Sequence, residues 1–147
     1  MQFDLLPANV IGRDSATWSS HIIINRGTDD GVQKNMTVIT PDGLVGNIHE
    51  AYASYSEVEL ITDPRSAVGS IVQRADSRVA GIVKGSADSN SAINMTNIPQ
   101  NANIVEGDTI ITSGFGGIYP KGIPIGSVAA IKMILVDYYN MQLYILV

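Results

Sequence analysis

The chain has 147 residues, a net charge of −5, 45% hydrophobic residues and no cysteine. Its length allows one ordinary domain or two small ones. The net negative charge and the scattered positions of the basic residues exclude the basic surface that is typical of a nucleic-acid-binding protein. The lack of cysteine excludes disulfides, cysteine–zinc sites and thiol catalysis.

The predicted elements are almost all strands. Short apolar runs rich in strand-forming residues recur along the chain, and a helical period is hard to find. The 14 Gly and 6 Pro residues leave little room for long helices. The runs that we predict as strands are Val10–Gly12, His21–Asn25, Thr37–Thr40, Leu44–His49, Glu57–Ile61, Ala67–Gln73, Val79–Val83, Ala92–Met95, Thr109–Thr112, Pro124–Val136 and Met141–Val147.

Two stretches with a similar order of strands and turns indicate two small β-units. The first, Asn25–Ile48, contains Asp-Gly and Pro-Asp-Gly turns, in which glycine can take the left-handed conformation that closes a hairpin. The second, Glu106–Val128, repeats the pattern more loosely. Pro64, which cannot donate to a strand ladder, marks the predicted boundary between the units.

The sequence therefore predicts an all-β chain of two small Greek-key-like β-barrels with little helix, loosely similar to the two-barrel serine proteases. We place the first barrel, with a short lead-in, at residues 1–66 and the second at residues 67–130. Residues 131–147 are predicted as C-terminal strands that could return to the first unit.

The two ends of the sequence indicate whether it carries a membrane span or a signal peptide. No stretch reaches the roughly 18 apolar residues of a membrane span. The first residues lack the basic start and long apolar region of a signal peptide, and the chain ends on the apolar run Leu143–Val147. We therefore expect both ends to be cuts in a longer protein.

Catalytic groups are sparse in this sequence. His49, Asp63 and Ser113 follow the His–Asp–Ser order of the two-barrel serine proteases. However, Ser113 lies in Ile-Thr-Ser-Gly-Phe rather than in the Gly-Asp-Ser-Gly-Gly turn that supplies the oxyanion-hole donors of those enzymes. We predict that the protein is not an enzyme, and the alternative is a catalytically cryptic two-barrel serine hydrolase.

Metal and cofactor sites are not predicted. Neither His21 nor His49 has a second ligand at a metal-binding spacing, and we expect both to be partly buried or at strand ends. Glu57 and Glu59 should share one face of a strand, which we interpret as exposed and solvated. The aromatic side chains that could stack on sugars do not cluster in sequence, so a peptidoglycan-binding β-module is only a further alternative.

The order of several short segments resembles the MreC family of bacterial rod-shape-determining proteins. The matching segments are Val10–Asp14 followed by Trp18, Ile24–Gly27, Asp30–Val32, Met36 with Val38-Ile39, Gly43–Gly46, Ser56 with Val58 and Leu60–Asp63, Gly81–Val83 with Gly85, Gly107-Asp108, Thr112–Gly114 and Pro120–Gly126. Each is a common strand or turn pattern, and the order and spacing of the set carry the resemblance, from Pro7 to Val147.

The resemblance implies a scaffold without enzymatic activity, which maintains rod shape by organising the peptidoglycan-synthesis enzymes of the cell-elongation complex. The implied partners are penicillin-binding transpeptidases, MreD and RodA, with self-association to a dimer or filament in the full-length protein. The implied location is the cell-wall side of the plasma membrane, with an anchoring N-terminal membrane span that this sequence does not contain.

No family motif identifies the partner-binding residues, so we predict them from the sequence pattern. The candidates are His21, Ile22, Ile24, Phe115, Tyr144 and Ile145. The first three and the last two lie in apolar strands that, at a sheet edge, could accept a strand from another chain. Phe115 lies in a Gly-rich stretch that we interpret as a hairpin tip, where an exposed aromatic residue favours partner binding. The alternative for the two strands is that both are ordinary paired core strands.

Overall fold

The computed structural model describes residues 4–13, 21–63, 65–74, 79–85, 93–96, 98, 103–128 and 142–146. These ranges contain one short 3-10 turn, Thr28–Asp30, and twelve strands. The strands are β1 (Leu5–Ala8), β2 (Val10–Arg13), β3 (His21–Ile24), β4 (Thr37–Thr40), β5 (Gly43–Ala51), β6 (Ser56–Leu60), β7 (Ala67–Val72), β8 (Ala80–Gly85), β9 (Ile93–Thr96), β10 (Thr109–Thr112), β11 (Pro124–Ser127) and β12 (Leu143–Leu146). The predicted all-β fold with little helix is confirmed. A helix that could cross a membrane is not found in the described ranges.

The first sheet has seven strands in the order β1-β12-β4-β5-β6-β3-β2, and each neighbouring pair is antiparallel. Because successive side chains of a strand point to opposite faces, one face supplies the core. The side chains at the centre of this core are Ile22, Ile24, Val38, Ile48, Val58, Leu143 and Ile145, each no more than 1% exposed. Burial of one such side chain contributes about 1.5–3 kcal/mol.

The edge strand β1 is absent from the strands predicted from the sequence, and Pro7 lies within it. Proline cannot donate to a strand ladder and is tolerated at the edge of a sheet. Among the described strands, β1 has a single neighbour, β12, which lies between β1 and β4. The C-terminal residues 143–146 therefore belong to the first sheet.

The predicted strand Pro124–Val136 is observed as Pro124–Ser127, and its part beyond residue 128 lies outside the described residues.

The second sheet has five strands in the order β11-β10-β7-β8-β9, again antiparallel. Its core combines residues of both sheets. Leu44, Ile61 and Leu146 come from the first sheet and its following turn, and they join Val68, Val72, Val83, Ile110, Tyr119, Ile123 and Ile125. The two curled sheets are therefore packed directly against one another through apolar side chains.

The backbones of the two units also approach closely at two glycines. A Cβ atom on Gly43 would lie 2.4 Å from the carbonyl oxygen of Pro124, and one on Gly85 would lie 2.2 Å from that of Thr62. Carbon and oxygen atoms cannot come this close without a clash, so only glycine fits at either position. The Gly43 contact fixes the start of β5 against the start of β11, and the Gly85 contact fixes the turn after β6 against the end of β8.

Candidate functional site

The predicted partner-binding residues of β3 lie inside the first sheet. This strand pairs with β2 on one side and with β6 on the other. Ile22 and Ile24 are buried in the core, and His21 is 7% exposed. The expectation of an open edge at this strand is therefore wrong, because both rows of backbone hydrogen-bonding groups are already paired.

The same correction applies to the predicted C-terminal edge. Strand β12 pairs with β1 through Tyr144 and Ile145 and with β4 through the same two residues. Ile145 is fully buried and Tyr144 is half-buried. Neither strand can accept a third chain without loss of an existing neighbour, so strand addition at these positions has no structural basis.

Phe115 differs from the other five candidates because its side chain is 81% exposed. It lies in the loop after β10, and the nearby Ile118 is 44% exposed. The adjacent glycines Gly114, Gly116 and Gly117 have φ angles of 81°, 96° and 80°, in the left-handed region that favours glycine. We refer to residues 113–118 as the Phe115 loop.

The base of the Phe115 loop is held by hydrogen bonds. The buried Thr112 hydroxyl donates to the carbonyl oxygen of Pro120 at 2.5 Å and accepts from the backbone N–H of Ile123 at 2.8 Å. The Ser113 hydroxyl oxygen accepts from the N–H of Phe115 at 3.2 Å, and the Ser113 N–H donates to Gly69 at 2.9 Å. The loop is thus a braced turn that presents an apolar side chain to solvent.

A second feature is a group of titratable side chains around His21, on the face of the first sheet opposite its core. We refer to it as the His21 cluster, and its members are His21, His49, Glu57, Glu59, Asp63 and Arg65. His21 lies directly across from Glu59 in the register of β3 and β6. His49 on β5 stacks on the His21 ring, with centroids 5.0 Å apart.

Three carboxylates surround the His21 ring. Its Nδ1 lies 2.9 Å from Glu57 Oε1, and its Nε2 lies 3.6 Å from Glu59 Oε2 and 3.7 Å from Asp63 Oδ2. The His49 Nδ1 atom lies 3.8 Å from the same Glu59 oxygen. Among the described residues, two sets lie close enough to hold a metal ion: His21 with Glu59 and Asp63, and His21 with His49 and Glu57.

Asp63 is the most buried carboxylate of the cluster, with a side chain 2% exposed. Burial raises the pKa of this carboxyl, but hydrogen bonds from the Arg65 side chain and backbone and the guanidinium charge outweigh it, so the pKa lies below its ordinary value. The Arg65 Nε and Nη2 atoms donate to the two Asp63 oxygens at 3.0 and 2.9 Å. Nearby, burial and the charge of Glu59 raise the pKa of Tyr119.

The His21 cluster was not predicted from the sequence, and the prediction that Glu57 and Glu59 form an exposed face is wrong. Their side chains are only 25% and 19% exposed. The i, i+2 spacing of the two glutamates was a usable signal for a shared face. The pairing of β3 with β6 and the position of Asp63 in the following turn are tertiary features without a local sequence signature.

The structure does not assemble the serine-hydrolase triad. The Ser113 hydroxyl oxygen accepts from Phe115, His49 faces Glu59, and Asp63 is bound by Arg65. Among the described residues, no hydrogen bond joins Ser113 to His49 or Asp63. A serine nucleophile needs a histidine within hydrogen-bond reach and a carboxylate that orients it.

Comparison with known proteins agrees with the architecture. The profile of the family "Rod shape-determining protein MreC, barrel core" matches residues 10–145. The cell shape-determining protein MreC of Listeria monocytogenes is 33% identical over 132 residues, which cover 88% of this chain and 44% of that protein. The chain therefore spans less than half the length of this relative.

Solved structures give the same result. An MreC structure from Listeria monocytogenes has a TM-score of 0.82 and 29% identity, with 99% of this chain and 76% of that chain covered. MreC of Helicobacter pylori was solved in a complex with the penicillin-binding protein PBP2. It has a TM-score of 0.68 and 18% identity, with 99% of this chain and 87% of that chain covered, and this similarity supports the fold alone. On the profile match and the identity to cell shape-determining relatives, this chain belongs to the MreC family and comprises its barrel core.

Proposed function

We propose that this barrel core is a non-enzymatic docking module that binds the extracytoplasmic domain of a penicillin-binding transpeptidase and so helps to organise peptidoglycan synthesis during cell elongation. The observation that carries the proposal is the Phe115 loop, where a large aromatic side chain is 81% exposed on a hydrogen-bonded support. Rigid exposed aromatic residues are typical anchors of protein–protein interfaces.

The choice of partner rests on two considerations. The Helicobacter pylori relative was solved in a complex with PBP2, a penicillin-binding protein. In addition, the described residues of this chain offer an apolar contact surface and no assembled triad, which favours a binding role over hydrolysis. Phe115 and Ile118 would supply the apolar centre of the contact, since burial of aromatic and aliphatic surface dominates binding energy.

The wider assembly forms part of the same proposal. By family membership, the complete protein would be anchored on the cell-wall side of the plasma membrane, would contact MreD and RodA, and would self-associate. In this chain the two cores are packed together and most strands have two neighbours, so self-association through β3 or β12 would require rearrangement. Self-association of the complete protein would therefore use one of the end strands β1, β2, β9 and β11, or segments outside this chain.

The direct test is calorimetric titration of the purified chain with the extracytoplasmic domain of an elongation transpeptidase from the same organism. We expect saturable one-to-one binding. The absence of binding at high micromolar concentration, with both proteins folded, would contradict docking by the barrel core alone. The titration would then be repeated with the full-length protein. Binding in that case would show that segments outside this chain are required, and continued absence of binding would show that the partner is wrong.

A further inference from the structure

We propose that the His21 cluster binds one zinc ion through His21 Nε2, Glu59 Oε2 and Asp63 Oδ2. The His21 Nε2 atom lies 3.6 Å from the Glu59 oxygen and 3.7 Å from the Asp63 oxygen, and the three ligand atoms all lie within 4.8 Å of one another. Tetrahedral zinc with bonds of about 2.0–2.2 Å separates its ligand atoms by roughly 3.3–3.6 Å. The two distances from His21 Nε2 are within a few tenths of an ångström of this range, and the two carboxylates would close on the ion from there.

Glu57 has a different part in this arrangement. Its Oε1 atom lies 2.9 Å from His21 Nδ1, which is hydrogen-bond distance and shorter than the spacing of two ligands on one tetrahedral zinc. This contact selects His21, Glu59 and Asp63 over the alternative set of His21, His49 and Glu57. A carboxylate that accepts the other ring N–H of a metal-bound histidine fixes its tautomer, and Glu57 would leave the Nε2 lone pair for the metal.

The charge balance also favours a divalent cation. Glu57, Glu59 and Asp63 carry three negative charges around His21, and Arg65 supplies one positive charge. The three carboxylates thus outnumber the one guanidinium in a partly buried location, where a surplus of negative charge is costly. The Asp63 oxygen that faces His21 accepts a hydrogen bond from Arg65, but a carboxylate oxygen has a second lone pair for a metal.

The donor set decides which cation is expected. An imidazole nitrogen with two carboxylate oxygens suits zinc, whereas calcium and magnesium prefer oxygen ligands alone. His49 Nδ1 lies 3.8 Å from the same Glu59 oxygen, and its side chain is 42% exposed. The fourth position would therefore be filled from the solvent side, by His49 or by water.

A zinc ion at this place would link two parts of the fold. His21 and Glu59 belong to the first sheet, and Asp63 lies in the turn that leads to β7. A Cβ on Gly85 would lie 2.3 Å from the Asp63 carbonyl oxygen, so this turn also touches the end of β8. Zinc would thus stabilise the junction between the two sheets and would not take part in a reaction.

The test is calorimetric titration of the chelator-treated chain with zinc chloride, together with thermal denaturation with and without zinc. We expect one-to-one binding and a higher melting temperature with zinc. Glu59→Gln should weaken binding at least tenfold and abolish the thermal shift. The matched control is Glu50→Gln, at a 48% exposed glutamate on β5 that lies 3.8 Å from Lys34, and it should bind zinc within twofold of the parent chain.

Nitrogen-15 NMR of the histidine side chains provides a readout that needs no variant. Zinc should shift the His21 Nε2 resonance while Nδ1 keeps its proton. The absence of saturable binding at millimolar zinc, equal binding by Glu59→Gln, or an unchanged His21 spectrum would each overturn the proposal.

Discussion

Arg74 and Asp108 form a two-point ion pair that joins the end of β7 to the start of β10. The Arg74 Nε atom lies 2.9 Å from Asp108 Oδ1, and Nη2 donates a hydrogen bond of 3.1 Å to Oδ2. The same Asp108 oxygen accepts the backbone N–H of Val105 at 2.9 Å. The carboxylate therefore holds the turn before β10 in addition to pairing with the guanidinium.

The contribution of the Asp108 carboxylate to the free energy of unfolding should depend on pH. The hydrogen bond from Val105 holds the pKa of Asp108 below its ordinary value of 3.8, burial opposes this, and Arg74 lowers the pKa further. A carboxyl with a lowered folded-state pKa stabilises the fold above its unfolded pKa and loses this contribution as the pH falls through the folded pKa. Asp108→Asn should therefore be less stable than the parent chain at pH 7, and the difference should shrink below about pH 4. Urea denaturation at pH 7 and pH 3 measures this, and a difference that does not change with pH would contradict the assignment.

Substitution by alanine should be costly at one strand glycine and nearly neutral at another. A Cβ on Gly46 would lie 1.9 Å from the carbonyl oxygen of Glu59, whereas one on Gly12 would lie 3.5 Å from the nearest side-chain atom, in Ile23. We expect Gly46→Ala to destabilise the fold by about 3 kcal/mol or more, because the paired backbones of β5 and β6 must separate. Gly12→Ala should stay within about 1 kcal/mol of the parent chain. Chemical denaturation measures the free energy of unfolding of both variants. Equal losses of this free energy would contradict the observed pairing of β5 with β6.

The core of the first sheet should be sensitive to truncation at Ile24, which was predicted from the sequence as a partner-binding residue. Ile24 is fully buried, while Ile11 on the edge strand β2 is 58% exposed. Ile24→Ala should cost about 2–5 kcal/mol of the free energy of unfolding, from lost burial and an unfilled cavity. Ile11→Ala should cost no more than about 0.5 kcal/mol. A small effect of Ile24→Ala in denaturant titrations would show that β3 does not lie in the core.

Ser113 should have a structural role without catalysis. Its hydroxyl oxygen accepts the N–H of Phe115, so Ser113→Ala should destabilise the loop by about 0.5–1.5 kcal/mol. A serine-reactive fluorophosphonate probe should not label the parent chain, because no histidine activates this hydroxyl. Covalent labelling of Ser113 would contradict this structural role and would support the hydrolase alternative.

The fold class could be predicted from the sequence because its signals are local. Turns such as Asp30-Gly31 and the one before Gly43 are determined by neighbouring residues, and Gly31 and Gly43 indeed have positive φ angles of 90° and 144°. Strand order depends on contacts between distant segments. Nothing near Tyr144 in the sequence specifies that β12 inserts between β1 and β4, so the edge prediction at that strand could not be corrected by pattern alone.

The same distinction explains the two candidate sites. Phe115 was predictable as exposed, because a run of glycines around one aromatic residue indicates a turn that cannot bury it. The His21 cluster was not predictable, because His21 and Asp63 are 42 positions apart and meet only through the pairing of β3 with β6 and the turn that follows.

The most direct test of the docking role is the affinity of the transpeptidase domain for Phe115→Ser, compared with the parent chain and with Ile11→Ser as the control. Both substitutions remove an exposed apolar side chain, at positions 81% and 58% exposed. If Phe115 anchors the interface, Phe115→Ser should weaken calorimetric binding about 30-fold, which corresponds to about 2 kcal/mol, while Ile11→Ser binds like the parent chain. Unchanged affinity for a folded Phe115→Ser chain would contradict docking through the Phe115 loop.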